Sequence, residues 1–401
     1  SRPPRPPGTG EPTRLAIQAG TVITPQEEIP DCTVLVENDR IVAVGQRLEI
    51  PPGARLLDAR DKICVPGFID LHVHGAGGRD LMEASLEAMG TVGRMLATHG
   101  TTSYFPTTLT ASVPRTVQAL EQLGEFVRRM DQNPPSDLQA HPLGIHMEGP
   151  FLNPKRKGVH PEAELKAPSV ELFETFHQAA GGTLRLLTLA PELDGAAAVI
   201  RQAFGRGVRV GAGHTDATFE QTAAAVEMGV RHVIHMFNAM RPFSHRDPGV
   251  VTAALLDDHL STELIADGVH VYGPVIRLLA RLKGTDRILL VSDGLAATGM
   301  PDGVYTLGEF EIVVKGPEAR NRQGVLAGSV LTLDRAIRNM IHFTGLPLPE
   351  VVRMATLNQA LLMSLERKGR IAPGADADLV LLTPGLEVAA VATRGRLEEF
   401  M

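Results

Sequence analysis

The sequence has no tryptophan and only two cysteines, and aromatic residues make up 4% of its 401 positions. Two thiols, Cys32 and Cys64, cannot build a disulfide framework. Both lie in apolar, strand-like segments, so we expect buried free thiols and a reducing, cytoplasmic setting. No apolar run approaches the length of a membrane span, and no hydrophobic signal core marks the N-terminus, so no membrane partner is expected. A surplus of positive charge is missing too. The net charge is -7 with a pI near 6.1, and no Lys/Arg stripe runs along the chain, which excludes a general nucleic-acid binder. Basic residues for a phosphorylated ligand can still be local. A Gly-x-Gly-x-x-Gly turn is absent after the first strand of the central region, which argues against an open dinucleotide-binding sheet. There is no internal repeat of fixed period.

What is present is ordinary for a globular protein: 43% hydrophobic and 21% charged residues, enough for a large core. Residues 1–13, rich in Pro and Gly, read as a disordered tail, and a start at Ser1 rather than Met leads us to expect a trimmed N-terminus. From 14 to 64 the pattern is one of short strands, at Leu15 to Gln18, Thr21 to Ile23, Cys32 to Glu37 and Arg40 to Val44. Short apolar strands return at Asp378 to Leu382 and Val388 to Thr393. We therefore expect one small β-sandwich domain built from both chain ends, 14–64 and 371–401. Between them, residues 65–370 alternate strand and helix. Strands are expected at Phe68 to His72, Ser103 to Pro106, Pro142 to Met147, Leu184 to Leu189, Val208 to Gly211, His232 to His235, Thr262 to Ala266 and Ile288 to Val291. Amphipathic stretches separate most of them, including Leu86 to Thr98, Val113 to Met130 and Tyr272 to Leu282. This rhythm predicts a (β/α)8 TIM-type barrel. A β-hairpin insertion is expected near 303–328, and two further helices at Leu331 to Phe343 and Leu348 to Leu365.

Active sites of such barrels lie at the C-terminal ends of the strands. The first strand ends in His72-Val73-His74, whose two imidazoles share a strand face. The third ends at Glu148, the fifth at His214, the sixth at His235 and the eighth at Asp293. A lone strand-end histidine is more often structural than a ligand, but ligand-type residues at five strand ends favour a metal site. His214 and His235 suit one ion and His72 and His74 another, with Glu148 bridging. Asp293 completes the metal set and is placed to act as a base toward a water activated by the metals. The expected reaction is hydrolysis. Imidazole and carboxylate suit zinc, iron, manganese and cobalt alike, so one or two divalent ions per subunit are expected without a choice among them.

The same residues fall in motifs that resemble the N-acetylglucosamine-6-phosphate deacetylases of the amidohydrolase superfamily. These are Pro-Gly-Phe-Ile-Asp-Leu-His-Val-His-Gly at 66–75, His-Met-Glu-Gly-Pro-Phe-Leu-Asn at 146–153 and Lys-Gly-Val-His-Pro at 157–161. Ala-Gly-His-Thr at 212–215, His-Met-Phe-Asn-Ala-Met at 235–240, Arg-Asp-Pro-Gly at 246–249, Ala-Asp-Gly-Val-His at 266–270 and Ser-Asp-Gly at 292–294 follow in the family's order. The resemblance implies release of acetate from N-acetylglucosamine 6-phosphate, in amino-sugar catabolism and cell-wall recycling. It implies Glu148, His214 and His235 as a shared metal triad, and His72 and His74 as the pair found in members with two metals. Members that carry Gln-x-Asn there hold one. It further implies Asp293 as catalytic acid/base and His160 as the residue that orients or polarises the acetyl carbonyl. Asn238, the backbone of Ala239, Arg246 and His270 become phosphate and sugar contacts, and a homodimer is implied in which Arg246 reaches the neighbouring active site. Each has a plainer reading: Arg246 paired with Asp247, His270 capping a helix near Tyr272, His160 exposed on a loop. Lys155, Arg156 and Lys157 read as a solvated charge cluster.

Another amidohydrolase, dihydroorotase-like or D-aminoacylase-like, would bridge its metals with a modified Lys or a Cys near strand four. Leu186 to Glu192 offers neither. A catalytically dead binding barrel would be expected to have lost ligands. Without Trp, Phe and Met are left to line a sugar pocket.

Overall fold

A computed structural model describes residues 13–400. The expected tail, 1–13, lies outside the described residues apart from Thr13. Strands β1 (Arg14–Ile23), β2 (Glu28–Glu37), β3 (Arg40–Gly45) and β4 (Arg55–Pro66) open the chain. Eight parallel strands follow: β5 (Phe68–Val73), β6 (Thr101–Thr108), β7 (Ile145–Glu148), β8 (Leu184–Leu189), β9 (Arg209–Ala212), β10 (His232–Val233), β11 (Ser261–Leu264) and β12 (Ile288–Leu290). They neighbour one another in chain order, and β5 and β6 are buried at every position. That is what a parallel strand covered by helices requires. The ring closes where strand one meets the end of strand eight. Asp293 N–H donates to His72 O at 2.9 Å, and the N–H groups of His74 and Gly75 donate to Gly294 O at 2.8 and 2.9 Å. Closure thus falls on the very segments that carry His72, His74 and Asp293.

The helices lie where periodicity put them, with α1 at Leu86–Thr98, α2 at Val113–Gln132, α3 at Val170–Ala179, α4 at Ala196–Gly205 and α5 at Phe219–Met228. Side-chain oxygens of Ser85, Ser169 and Thr218 cap α1, α3 and α5. Helix α6 (Gly249–Leu256) was not anticipated. Its residues, Gly-Val-Val-Thr-Ala-Ala-Leu-Leu, have no polar face, so no 3.6-residue period announces it. Helices α7 (Gly273–Lys283) and α8 (Leu333–Thr344) complete the main set, and the expected helix at 348–365 is split into Leu348–Arg353 and Leu357–Leu362.

The insertion is a three-stranded meander rather than a hairpin, β13 (Gly303–Leu307), β14 (Phe310–Lys315) and β15 (Glu318–Asn321). Leu307, Ile312, Val314 and Ala319 pack with Met82, Leu109 and Leu295 in a core separate from the main one. This places the meander over the C-terminal mouth of the barrel.

The small sheet joins both chain ends, with β16 (Leu379–Leu382), β17 (Val388–Thr393) and β18 (Arg396–Glu399) in the order β18-β17-β16-β4-β1-β2-β3. The expected sandwich is therefore one mixed sheet of seven strands. Its far edge bends back: Ile41 N–H donates to Ala375 O at 3.0 Å and Gly374 N–H donates to Ile41 O at 2.8 Å. Ile17, Val34, Cys64, Leu379 and Ala392 share the resulting core, and both cysteines are free and buried. The β4 strand runs past the expected boundary at 64 to Pro66, and Gly67 turns it into β5. A Cβ at Gly67 would stand 2.1 Å from Thr102 Oγ1, so the close approach of the two units requires glycine there. Among the described residues no helix is long and apolar enough to cross a membrane.

The joint between the sheet and the barrel is held by a buried ion pair. Lys368 Nζ pairs with Asp378 and, at 3.1 Å, with Asp376, the Lys368 and Asp378 side chains being 9% and 5% exposed. Asp378 also accepts the Arg394 N–H at 2.8 Å, and its carbonyl accepts the Gly67 N–H at 2.8 Å. Removing one partner of a buried pair leaves an uncompensated charge, so Lys368→Met should destabilise the protein by about 3–5 kcal/mol. A fall in the urea midpoint measured by circular dichroism checks this; an unchanged midpoint would rule it out.

Candidate functional site

Glu148, at the end of β7, stands at the centre of the barrel mouth. Its Oε1 lies 3.1 Å from His214 Nε2 and 3.2 Å from His235 Nε2, and these two nitrogens are 3.2 Å apart. Its Oε2 lies 3.5 Å from His72 Nε2, 3.2 Å from His74 Nε2 and 3.5 Å from His160 Nε2. Across from it, Asp293 Oδ1 is 3.5 Å from His72 Nε2 and 3.3 Å from His74 Nε2. All of these side chains are buried. One carboxylate therefore faces two sets of imidazoles, one through each oxygen.

The far ring nitrogens decide which imidazoles can be ligands. His214 Nδ1 lies 2.9 Å from the Arg156 carbonyl, and His235 Nδ1 lies 3.2 Å from the Asn238 carbonyl. His72 Nδ1 lies 2.9 Å from Glu263 Oε2. A carbonyl or carboxylate only accepts, so in each neutral ring the hydrogen sits on Nδ1 and the Nε2 lone pair points at Glu148. His160 is set up the other way. Its Nδ1 accepts the Thr110 backbone N–H at 3.4 Å and hydrogen-bonds Thr110 Oγ1 at 2.8 Å. That leaves Nε2–H as a donor into the cavity. His160 is thus brought within ligand range of Glu148 and His214, yet its hydrogen bonding suits it to donate rather than to bind a cation.

The charges follow the same geometry. Burial favours neutral imidazole, but Glu148, Asp293 and Glu263 hold His72 well above its ordinary value. His74 is likewise held up to about 9 against burial by Asp293 and Glu148. Burial also favours neutral carboxylic acids, yet His72 and His74 hold Asp293 down to about 2. The surrounding imidazoles, His72 foremost, keep Glu148 well below the carboxylate range. His160, by contrast, is pushed down to about 4, chiefly by burial. Two buried carboxylates thus draw positive charge to the centre, which protons on His72 and His74 or bound cations can supply. His72 Nε2 is buried without a hydrogen-bond partner, and His72, His74 and Asp293 converge closely enough to hold an ion. The donor set of imidazole and carboxylate fits a divalent metal on each side of Glu148.

Above the centre is a cavity of about 350 Å³. Asn238, Ala239 and His270 line it with His74, Glu148 and Asp293, and Leu307, Arg320 and Val325 bring the meander into its wall. The Asn238 amide is pinned by donating to Met236 O at 3.1 Å. His270 Nδ1 lies 2.6 Å from Asp267 Oδ2, and this contact outweighs burial to raise its pKa. Helix α7 begins after Tyr272 without a side-chain cap, so His270 is not its cap. Arg246 is exposed and is not among the lining residues. Asp247 pairs with Arg241 at 2.7 Å, which leaves the expected Arg246–Asp247 pair unmade.

Three features escape the sequence reading. Arg156 is not simply solvated: it pairs with Asp216 at 2.8 Å, as does Arg241 at 3.2 Å, tying the loops after β7, β9 and β10 together. Arg320 places a cation from the same chain in the cavity wall. Glu263, fully buried on β11, holds His72; its only signal is an acid inside an expected barrel strand.

Residues 63–397 match the model of the amidohydrolase family. The chain belongs to this family, whose members are metal-dependent hydrolases. It is 37% identical to an N-acetylglucosamine-6-phosphate deacetylase of Lysinibacillus sphaericus over 96% of this chain and 97% of that one. It is 34% identical to an N-acetylgalactosamine-6-phosphate deacetylase of Escherichia coli O157:H7 over 96% and 99% of the two chains. Among solved structures, a Mycobacterium smegmatis N-acetyl-D-glucosamine-6-phosphate deacetylase variant in complex with N-acetyl-D-glucosamine-6-phosphate superposes with a TM-score of 0.89. The identity is 35%, covering 96% of this chain and 99% of that one.

A ligand that binds only the folded state stabilises it by RT ln(1 + [L]/Kd), about 2.7 kcal/mol at a hundredfold excess over Kd. Chelator treatment should therefore lower the melting temperature, and zinc should restore it. Glu148→Gln should melt low and fail to respond to zinc. An identical melting curve with and without chelator would contradict the metal assignment.

Proposed function

We propose that the protein hydrolyses the acetamide of N-acetylglucosamine 6-phosphate, releasing glucosamine 6-phosphate and acetate. The observation that carries this reading is Glu148 shared between two imidazole sets, with Asp293 opposite and a sugar-sized cavity above. His214, His235 and Glu148 would hold one divalent ion, zinc, iron, manganese or cobalt, and His72, His74 and Asp293 with Glu148 a second. Bound metal would acidify a water and polarise the acetyl carbonyl. Asp293 would take the proton from the attacking water and pass it to the departing amine. The Nε2–H of His160 would donate to the carbonyl oxygen as negative charge develops there. Asn238, the backbone of Ala239 and His270 would hold the sugar. The exposed Arg246 would serve the phosphate of the neighbouring subunit in a homodimer, since a guanidinium fork matches a phosphate dianion. The relative that acts on N-acetylgalactosamine 6-phosphate makes the epimeric sugar a second substrate to test. We place the reaction in the cytoplasm, and propose residues 14–64 and 371–401 as one domain and 65–370 as the other.

Acetate release from the gluco and galacto sugars, each with and without 6-phosphate, tests the substrate on protein whose metals have been counted. No release from either phosphorylated sugar would overturn the reading. Asp293→Asn should lose turnover on the order of 10²–10⁴-fold while keeping its tight metal; full activity would remove Asp293 from its role. Arg246→Ala should raise KM about 10- to 150-fold for the phosphorylated sugar alone, as expected for a lost hydrogen bond to a charged group. An equal effect on the unphosphorylated sugar would exclude a phosphate contact.

A further inference from the structure

Glu263 lies on β11 with no exposure to solvent. Its side chain points into the barrel, toward His72 of β5. A carboxylate in a barrel interior is costly unless it is paired. Its Oε2 is 2.9 Å from His72 Nδ1 and accepts the His235 backbone N–H at 3.4 Å. Its Oε1 has no hydrogen-bond partner among the described residues, with His232 Nε2 standing 3.6 Å away. Glu263 is not among the cavity-lining residues, and its closest hydrogen-bond partner is the His72 ring, on the side away from Glu148.

The contact does have a consequence for His72. With the hydrogen on Nε2, the Nδ1 lone pair would face a carboxylate oxygen 2.9 Å away. Only the ring with Nδ1–H is compatible, and that ring offers the Nε2 lone pair toward Glu148 and Asp293, each 3.5 Å distant. Asp70, the other fully buried acid near this strand, accepts the backbone N–H of His72 at 3.2 Å and so does not fix the ring. We infer that Glu263 is a positioning residue that fixes the His72 ring for cation binding and thereby sets whether the His72/His74 position fills. This rests on the two-position centre proposed above. If Glu263 served only to balance buried charge, its removal would weaken the fold and leave the metal count unchanged.

Equilibrium dialysis against buffered zinc, with elemental counting per chain, tests this on the full chain as wild type, Glu263→Gln, His72→Asn and the double variant. Wild type should fill in two steps. Glu263→Gln should keep the tighter step and weaken the other about 10–100-fold, the usual effect of losing such an outer partner. The double variant should match His72→Asn alone, because Glu263 acts through that ring. Two unchanged steps in Glu263→Gln would overturn the inference, as would effects of the two substitutions that simply multiply. A single step in the wild type would instead overturn the two-position centre, and this inference with it. Nitrogen-15 NMR of histidine-labelled, zinc-loaded wild type needs no variant: His72 should be bound through Nε2 with hydrogen on Nδ1, and binding through Nδ1 would overturn the inference.

Discussion

The structure turns on one buried carboxylate. Glu148 has two oxygens and meets imidazole nitrogens on both sides, within 3.1–3.5 Å. Such a group is costly in a barrel interior unless opposite charge is close at hand. The imidazoles answer that demand, His214 and His235 on one side and His72 and His74 on the other, while Asp293 adds a second carboxylate facing His72 and His74. Protons or divalent cations can satisfy this arrangement, and a family of metal-dependent hydrolases makes the cations the functional answer.

Holding these groups in place strains the backbone. His214, His235 and Asp293 all have positive φ, at 46°, 25° and 49°. Non-glycine residues in that region cost on the order of 1–3 kcal/mol each, and persist only where the surroundings dictate them. Here the surroundings are the strand ends. The Asp293 N–H is committed to His72 O, so the turn that presents the carboxylate also closes the barrel. The His235 ring is fixed by the Asn238 carbonyl within its own turn. Strain, closure and ligand placement are one arrangement rather than three.

Much of this is legible in the sequence because it is periodic or local. The eight barrel strands, most helices and the strand-end donors follow from apolar runs, amphipathic spacing and the rule that sites sit at the C-terminal ends. What stays hidden has physical reasons. Helix α6 lacks a polar face, and the charges Asp58, Arg60, Asp61 and Lys62 interrupt the apolar pattern of β4, a central strand whose pairing with both chain ends is not apparent locally. Pairings that depend on distant segments are equally silent: Glu263 with His72, Asp216 with Arg156 and Arg241, and Lys368 with Asp378. His160 shows the same limit from the other side. Its sequence leaves a carbonyl-orienting residue and an exposed loop residue both open, and only its burial and the Thr110 N–H on its far nitrogen separate the two.

The central claim is that Glu148 anchors two cation positions through its two oxygens. The most direct test is anomalous diffraction from crystals of the zinc-loaded protein, collected on both sides of the zinc edge. The account predicts two peaks flanking Glu148, one bound by His214 and His235 and the other by His72, His74 and Asp293. A single peak, or zinc held by residues other than these, would contradict it.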